Sequence, residues 1–276
     1  MAVWGPRAVH ATAAQPGDAA EGGMPARPPH RWWDIVLVPV LSFALLIVLI
    51  AGAMLALRRA GIALPGDTAA FVERLAADPV IQNAAGILVY MLLAGLLALL
   101  LALRGHTLRQ VHFRAFKGYV VILAALAGVA LAYLVAYAMQ RLPAEALAEI
   151  EAAEAFALPG SLAGMIVLGL LAVLVAPVVE ELYFRGIVMP VLARRFSFVA
   201  AATVSSAYFS SIHGHLFVLS GIGAWTVFGL LFLVGVVLAC AARWTGSLYA
   251  PVAMHAAYNA ALFLPAFALM LTGAEA

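Results

Sequence analysis

The stretch that decides the fold is SLAGMIVLGLLAVLVAPVVEELYFR, residues 161–185, in which a long uncharged run leads into Glu180, Glu181 and Arg185. An apolar run of about 20 residues is long enough to cross the hydrocarbon core of a bilayer as a helix. Each charged side chain near the centre of such a helix costs about 2.5–3.5 kcal/mol on insertion scales. The stretch therefore predicts a membrane helix that carries a polar site.

The composition of the whole chain indicates the same class of protein. Of its 276 residues, 66% are hydrophobic and 10% are charged, and the mean hydropathy is +1.07. We therefore predict an all-α fold, a polytopic helical bundle integral to the lipid bilayer. The formal net charge of +2, without basic runs that alternate with aromatic residues, argues against a nucleic-acid partner.

About seven transmembrane helices are predicted, with six to eight left open. The uncertainty lies around residues 216–225, where glycines allow either a loop or a continuation of the neighbouring helices. The seven predicted segments cover roughly residues 35–57, 84–103, 118–140, 161–182, 198–216, 225–242 and 247–272.

The two ends of the chain are predicted to lie on opposite sides of the membrane. Residues 1–32 are rich in Ala, Gly and Pro and hold no apolar run, which predicts a disordered tail. With this tail inside, the inner segments hold ten basic residues and the outer ones four. Because Lys and Arg accumulate in cytoplasmic loops, we expect a cytoplasmic tail. The arginine- and alanine-rich composition suggests a bacterial inner membrane.

The two adjacent glutamates are predicted to have different roles. Glu181 and Arg185 are four residues apart, with the acid first, which is the order that favours an ion pair along a helix. Glu180 is rotated by about 100° from Glu181 and cannot share that partner equally. We therefore interpret Glu181 and Arg185 as structural support and Glu180 as a candidate general base. The alternative is an ion cluster where a long helix leaves the membrane.

Two later apolar segments carry further polar groups, His213 on one and His255 with Asn259 on the other. In an antiparallel hairpin, Glu180 and His213 would both lie about 24 Å from the connecting turn, and Asn259 about 20 Å from its helix entry. These groups can therefore converge on one layer, as a hydrolase would require. Phe209 would form a wall of the site or serve packing alone.

A metal site is the alternative for the same residues. Glu180, His213 and His255 could bind zinc, but the remaining polar groups, Asn259 and the ion-paired Glu181, would include no free base. The chain also has no His-Glu-x-x-His signature and no Gly-x-Ser-x-Gly elbow. We therefore expect no metal and no other cofactor, with zinc as the alternative.

Three motifs in this order carry a family resemblance: PVVEELYFRG at 177–186, Phe209-x-x-x-His213, and GSLYAPVAMHAAYN at 246–259. Together they resemble the CPBP family of intramembrane proteases, which includes the CAAX prenyl endopeptidases and the bacterial Abi-like proteins. The resemblance covers about 80 residues, from 177 to 259.

The resemblance implies a role for each polar residue. Glu180 would activate water that His213 helps to hold, and His255 and Asn259 would stabilise the oxyanion, without a metal. Residues 33–276 would form an intramembrane protease domain with its motif core at 161–272. Its partner would be a peptide or protein substrate in or at the membrane, such as a prenylated protein, while the oligomeric state is left open.

A non-enzymatic membrane protein is the alternative function. A proton-coupled transporter would use the same acids and histidines as a relay, and an immunity-type binding partner would carry a vestigial site. A relay requires neither Asn259 nor the pair of Glu181 with Arg185. It therefore accounts for less of the pattern than a protease does.

Overall fold

The computed structural model describes residues 30–60, 79–106, 112–113, 117–213 and 215–272. Most of the predicted tail, 1–29, lies outside these residues. All regular structure in the described ranges is helical, and the predicted all-α membrane bundle is confirmed. The helices are α1 (Trp32–Arg59), α2 (Pro79–Arg104), α3 (Gly118–Met139), α4 (Ala144–Ala157), α5 (Leu162–Leu192), α6 (Phe198–Ser211), α7 (His215–Val218), α8 (Gly221–Thr245) and α9 (Tyr249–Thr272).

Six helices in the described part of the chain are long and apolar enough to cross a membrane: α1, α2, α3, α5, α8 and α9. This count lies within the predicted range but is one below seven. The difference arises at the fifth predicted segment, which forms α6 with 14 residues and the short α7. A helix of this length spans about 21 Å, less than the ~30 Å of a bilayer core. Its apolar run ends at the polar sequence SSIHGH, residues 210–215.

Polar contacts at one end of the bundle show how the helices are arranged. Arg104 at the end of α2 forms a 2.7 Å ion pair with Asp34 at the start of α1, and Arg194 beyond α5 donates a hydrogen bond to the carbonyl oxygen of His30. The guanidinium of Arg243 in the last turn of α8 lies 4.5 Å from the ring centroid of Phe198, which begins α6. We call this end, marked by Arg104, Arg194 and Arg243, the basic face.

The opposite face is marked by α4 and the start of α8. The carboxylate of Glu149 in α4 accepts hydrogen bonds from the backbone N–H and the hydroxyl of Ser220, at 2.8 and 3.0 Å. Since α6 begins at the basic face and α8 begins here, the chain crosses the bundle between them through α6 and α7. The fold therefore makes seven passes with six full-length helices.

The interior of the bundle has two main contacts. The middle of α5 lies against α2 and α6, where Leu97, Phe184 and Phe209 are almost fully buried. On the other side, α3 packs closely on α9, and the position of Gly128 leaves no space for a side chain. A Cβ atom there would lie 2.0 Å from the carbonyl oxygen of Met254. Small residues allow helices to approach in this way within a membrane.

The α3–α9 contact predicts an effect of Gly128→Ala. The added methyl group would meet backbone that cannot move aside, which costs about 1–3 kcal/mol or more. We expect a clearly lower melting temperature in detergent. Gly95→Ala in α2 is the matched control, because nothing lies within 4 Å of a Cβ at that position and alanine favours a helix. Equal melting temperatures for the two variants would contradict the close packing.

The seven passes predict that Lys117, before α3, and Thr272, at the end of α9, face opposite sides of the membrane. Both residues are exposed. In a Cys240→Ser background, a membrane-impermeant thiol reagent applied to intact cells should label only one of Lys117→Cys and Thr272→Cys. Labelling should extend to both variants after the membrane is permeabilised. Labelling of both in intact cells would show that the two positions share a side.

Candidate active site

The two acids lie on a distorted part of α5. The α-helical turns Ala176–Tyr183 are flanked by two π-helical segments, Leu171–Val175 and Phe184–Val188. Such segments are rare in helices and frequently occur at functional sites. Glu180, Glu181 and Arg185, which lie within or next to these segments, are all buried.

The first π segment leaves a backbone acceptor without a helical donor. The N–H of Ala176 bonds to the carbonyl of Leu171, so it is not used for the carbonyl of Ala172. The next donor in a π pattern would be residue 177, but Pro177 has no N–H. The side-chain Nδ2 of Asn259 donates to the oxygen of Ala172 at 2.7 Å. Asn259 therefore completes the hydrogen bonding of α5 from α9.

Glu181 and Arg185 form the ion pair that their spacing predicts. Arg185 Nη1 lies 2.7 Å from Glu181 Oε1, and the side chains are 1% and 0% exposed. Arg185 Nη2 donates to the carbonyl oxygen of Gly235 in α8 at 2.7 Å. The guanidinium also lies 5.0 Å from the ring centroid of Phe209 in α6. The cation thus contacts three helices while it neutralises one acid.

His255 lies between the two acids. Its Nδ1 is 3.1 Å from Glu181 Oε1, a hydrogen-bond distance, and its Nε2 is 3.7 Å from Glu180 Oε2, which is too long for a direct bond. A proton on Nδ1 would be donated to Glu181. Nε2 faces Glu180 and would have to carry a proton of its own to donate to an oxyanion. The ring is 3% exposed, so its orientation is fixed by these acids and by packing.

Glu180 has a different environment from Glu181. Its Oε1 accepts a hydrogen bond from the hydroxyl of Tyr90 in α2, and its Oε2 has no hydrogen-bond partner among the described residues. The side chain is nonetheless buried, with the residue 6% exposed. Sequence reasoning missed Tyr90, because a single tyrosine within the apolar run of α2 gives no motif.

His213 lies apart from the acids. It follows the end of α6, is exposed, and its Nδ1 is 2.6 Å from the backbone oxygen of Phe209. The ring of Phe209 lies between the two imidazoles, with centroids 4.5 Å from His213 and 5.8 Å from His255. Phe209 is thus a packing residue, and its role as a wall of the site stays a prediction. Direct contacts connect Glu180, Glu181, Arg185 and His255. His213 is connected to this group only through the ring of Phe209.

His215 is a second buried imidazole near the end of α6. Both of its ring nitrogens are without a hydrogen bond in the described part of the chain, and its ring packs against Phe228 at 6.1 Å. This residue therefore belongs to the packing of α7 on α8, and does not pair with His213 in a shared site.

The candidate zinc ligands are not gathered around one point. Across the ranges that the structure describes, no three side chains of His, Cys, Asp or Glu are grouped closely enough to hold a metal ion. Glu180 and His255 face each other, whereas His213 lies beyond Phe209. A metal bound by all three would require movement of His213 or of Phe209.

A comparison with protein-family models supports an assignment for this part of the chain. Residues 162–261 match the model of the Rce1-like type II CAAX prenyl endopeptidases. This part of the chain is similar to that family. No curated protein and no solved structure matches the chain. The resemblance to intramembrane proteases is thereby confirmed over α5 to α9, which contain all the predicted site residues.

The two acids in this segment differ in their charged contacts. Glu181 is neutralised by Arg185, whereas the contacts of Glu180 are the uncharged Tyr90 hydroxyl and the imidazole of His255. Glu180 therefore remains the candidate general base of the two acids.

This difference predicts distinct effects of two substitutions. Glu181→Gln would leave the buried Arg185 without its anion, at a cost of about 3–5 kcal/mol. We expect a large loss of folded protein and of melting temperature. Glu180→Gln retains the shape of the side chain and removes no ion pair, so the melting temperature should change little while activity is lost. Thermal unfolding in detergent would contradict the assignment if Glu180→Gln proved the more destabilised variant.

Proposed function

We propose that this protein is an intramembrane endopeptidase in which Glu180 activates water for attack on a peptide bond. The observation that carries the proposal is the environment of the Glu180 carboxylate. It is buried within an apolar bundle, one carboxylate oxygen is held by Tyr90, and the other has no hydrogen-bond partner in the described structure. That second oxygen can accept a proton from a water molecule. The family match of residues 162–261 supports a protease as the setting for this chemistry.

The reaction follows general-base hydrolysis. Glu180 takes a proton from water as the water oxygen forms a bond to the scissile carbonyl carbon, and the carbonyl oxygen becomes an oxyanion. The proton on Glu180 then passes to the leaving nitrogen as the C–N bond breaks. The products are a new carboxyl group and a new amino group, and Glu180 returns to its charged form.

His213 is assigned to the water and His255 and Asn259 to the oxyanion. The Nδ1 of His213 lies at the oxygen of Phe209, which leaves Nε2 for water. Because the Phe209 ring lies between His213 and the acids, His213 or Phe209 would have to move for His213 to hold the water that Glu180 activates. Asn259 uses one amide hydrogen on Ala172 and keeps a second. Single oxyanion donors contribute about 2.7–4 kcal/mol in other hydrolases.

The substrate class follows from the location of the site and from the family. The acids lie within a helix that is long and apolar enough to span the membrane, so the substrate is a peptide or protein segment in or at the bilayer. Proteins of the prenylated CAAX type are candidates, because the matched family is described by that activity. We place the protein in a bacterial inner membrane with its basic face in the cytoplasm, in line with the excess of basic residues there.

Substrate identification is the experiment that tests the function. Membrane fractions from cells with the wild-type protein, Glu180→Gln or Glu151→Gln would be compared for new peptide N-termini. Glu151 is an exposed acid on α4 and serves as the matched control. We expect the same new termini with wild type and Glu151→Gln, and none with Glu180→Gln. New termini that persist with Glu180→Gln would contradict the mechanism, and an absence of termini with wild type would favour a transporter or binding protein.

The proposed chemistry also predicts independence from metal. With a substrate identified as above, activity of the purified protein should survive strong chelators and should be lost in Glu180→Gln, His213→Ala and His255→Ala. Asn259→Ala should retain more activity, since one oxyanion donor remains. Stoichiometric zinc, with activity lost on chelation and restored by zinc, would instead support the metalloprotease alternative.

A further inference from the structure

We propose that Tyr90 is a positioning residue that holds Glu180 in the orientation needed for activation of water. This inference rests on the proposed function of Glu180. Tyr90 lies on α2, outside the residues 162–261 that match the family model. The proposal therefore adds a part of the active site that is contributed by the N-terminal half of the chain.

The contact is direct and its two partners are far apart in sequence. The Tyr90 hydroxyl donates to Glu180 Oε1 across a separation of 90 residues. The Tyr90 ring packs against the buried cluster that includes Leu97 and Val179. Since Leu97 is two turns further along α2 and Val179 precedes Glu180, the same packing that joins α2 to α5 places the hydroxyl at the carboxylate.

Glu180 depends on this hydroxyl for its orientation. Its Oε2 has no hydrogen-bond partner among the described residues, and the nearest imidazole atom, His255 Nε2, is 3.7 Å away. The other charged neighbours, Glu181 and Arg185, are occupied with each other. Fixing Oε1 presents Oε2 to a water molecule, and a phenol that donates to a carboxylate also stabilises its charged, basic form.

A packing role alone would predict a different outcome. If Tyr90 only filled space between α2 and α5, phenylalanine would replace it without loss of activity. Tyr90→Phe retains the ring and removes only the hydroxyl, so it separates the two roles. The variant is expected to fold, because the hydroxyl is its only missing group.

The test is steady-state kinetics of Tyr90→Phe. The substrate is the one identified by the comparison of new peptide N-termini in membrane fractions. We expect kcat to fall by about 10- to 100-fold, the range for loss of a hydrogen bond to a charged group. KM should stay within about twofold of wild type, because Tyr90 acts through Glu180 and not on the substrate. The acidic limb of the kcat–pH profile should move to higher pH by about one unit or more.

Tyr183→Phe is the matched control. Tyr183 is another buried tyrosine on α5, and its hydroxyl donates to the backbone oxygen of Ile35 and contacts the hydroxyl of Tyr208. Removal of this hydroxyl should lower the melting temperature without the change in the pH profile. The comparison distinguishes loss of a hydrogen bond to Glu180 from loss of a buried hydrogen bond in general.

Three results would overturn the inference, and they are distinguishable. Wild-type kcat and pH profile in Tyr90→Phe, with Glu180→Gln inactive, would remove Tyr90 from the site and leave the proposed function intact. Wild-type activity in Glu180→Gln would remove the proposed function and the role of Tyr90 with it. A fall in kcat that Tyr183→Phe reproduces, with an unchanged pH profile in both variants, would also reject the positioning role.

Discussion

The buried guanidinium of Arg185 is the constraint on which the rest of the structure depends. A cation that is removed from water must have its charge compensated, since an unpaired one would cost several kcal/mol. Glu181 supplies the anion, Gly235 supplies a carbonyl from α8, and Phe209 supplies an aromatic face from α6. His255 then joins α9 to the same carboxylate. The ion pair of Arg185 and Glu181 thereby connects four helices, α5, α6, α8 and α9.

The same interaction gives the two neighbouring glutamates different chemistry. Adjacent carboxylates would ordinarily be expected to affect each other's charge strongly. Here Arg185 compensates Glu181, and Glu180 is rotated away toward a hydroxyl and an imidazole. The helix thus carries one acid in an ion pair with Arg185 and one acid outside that pair. The separation follows from the rotation of successive residues on α5 and from the partners that surrounding helices provide.

Irregular features of two helices shape the space around Glu180. Pro177 and the preceding π segment leave the carbonyl of Ala172 to be satisfied by Asn259, so the amide is held near α5. The early end of α6 leaves His213 exposed while Phe209 remains buried. The site therefore has buried acids on one side of an aromatic ring and an accessible imidazole on the other.

Much of this molecule follows from local rules that act along the chain. Composition and apolar length determine an all-α membrane bundle, because a backbone in lipid must satisfy its own hydrogen bonds. The four-residue spacing of Glu181 and Arg185 places them on one helix face, so their pairing is visible in the sequence. The motif order likewise predicts which helices carry polar groups.

Other features depend on how distant segments pack, and only the tertiary structure decided them. The sequence did not indicate Tyr90, because its contact with Glu180 joins residues 90 positions apart through the packing of α2 on α5. It did not predict that Phe209 separates His213 from the acids, or that Asn259 bonds to Ala172. It predicted seven spans where six helices are long enough, since hydropathy measures apolar length and does not show where a polar turn ends α6. Helical periodicity fixes the neighbours of a residue on its own helix, whereas neighbours across helices are fixed by the rotation and depth at which whole helices meet.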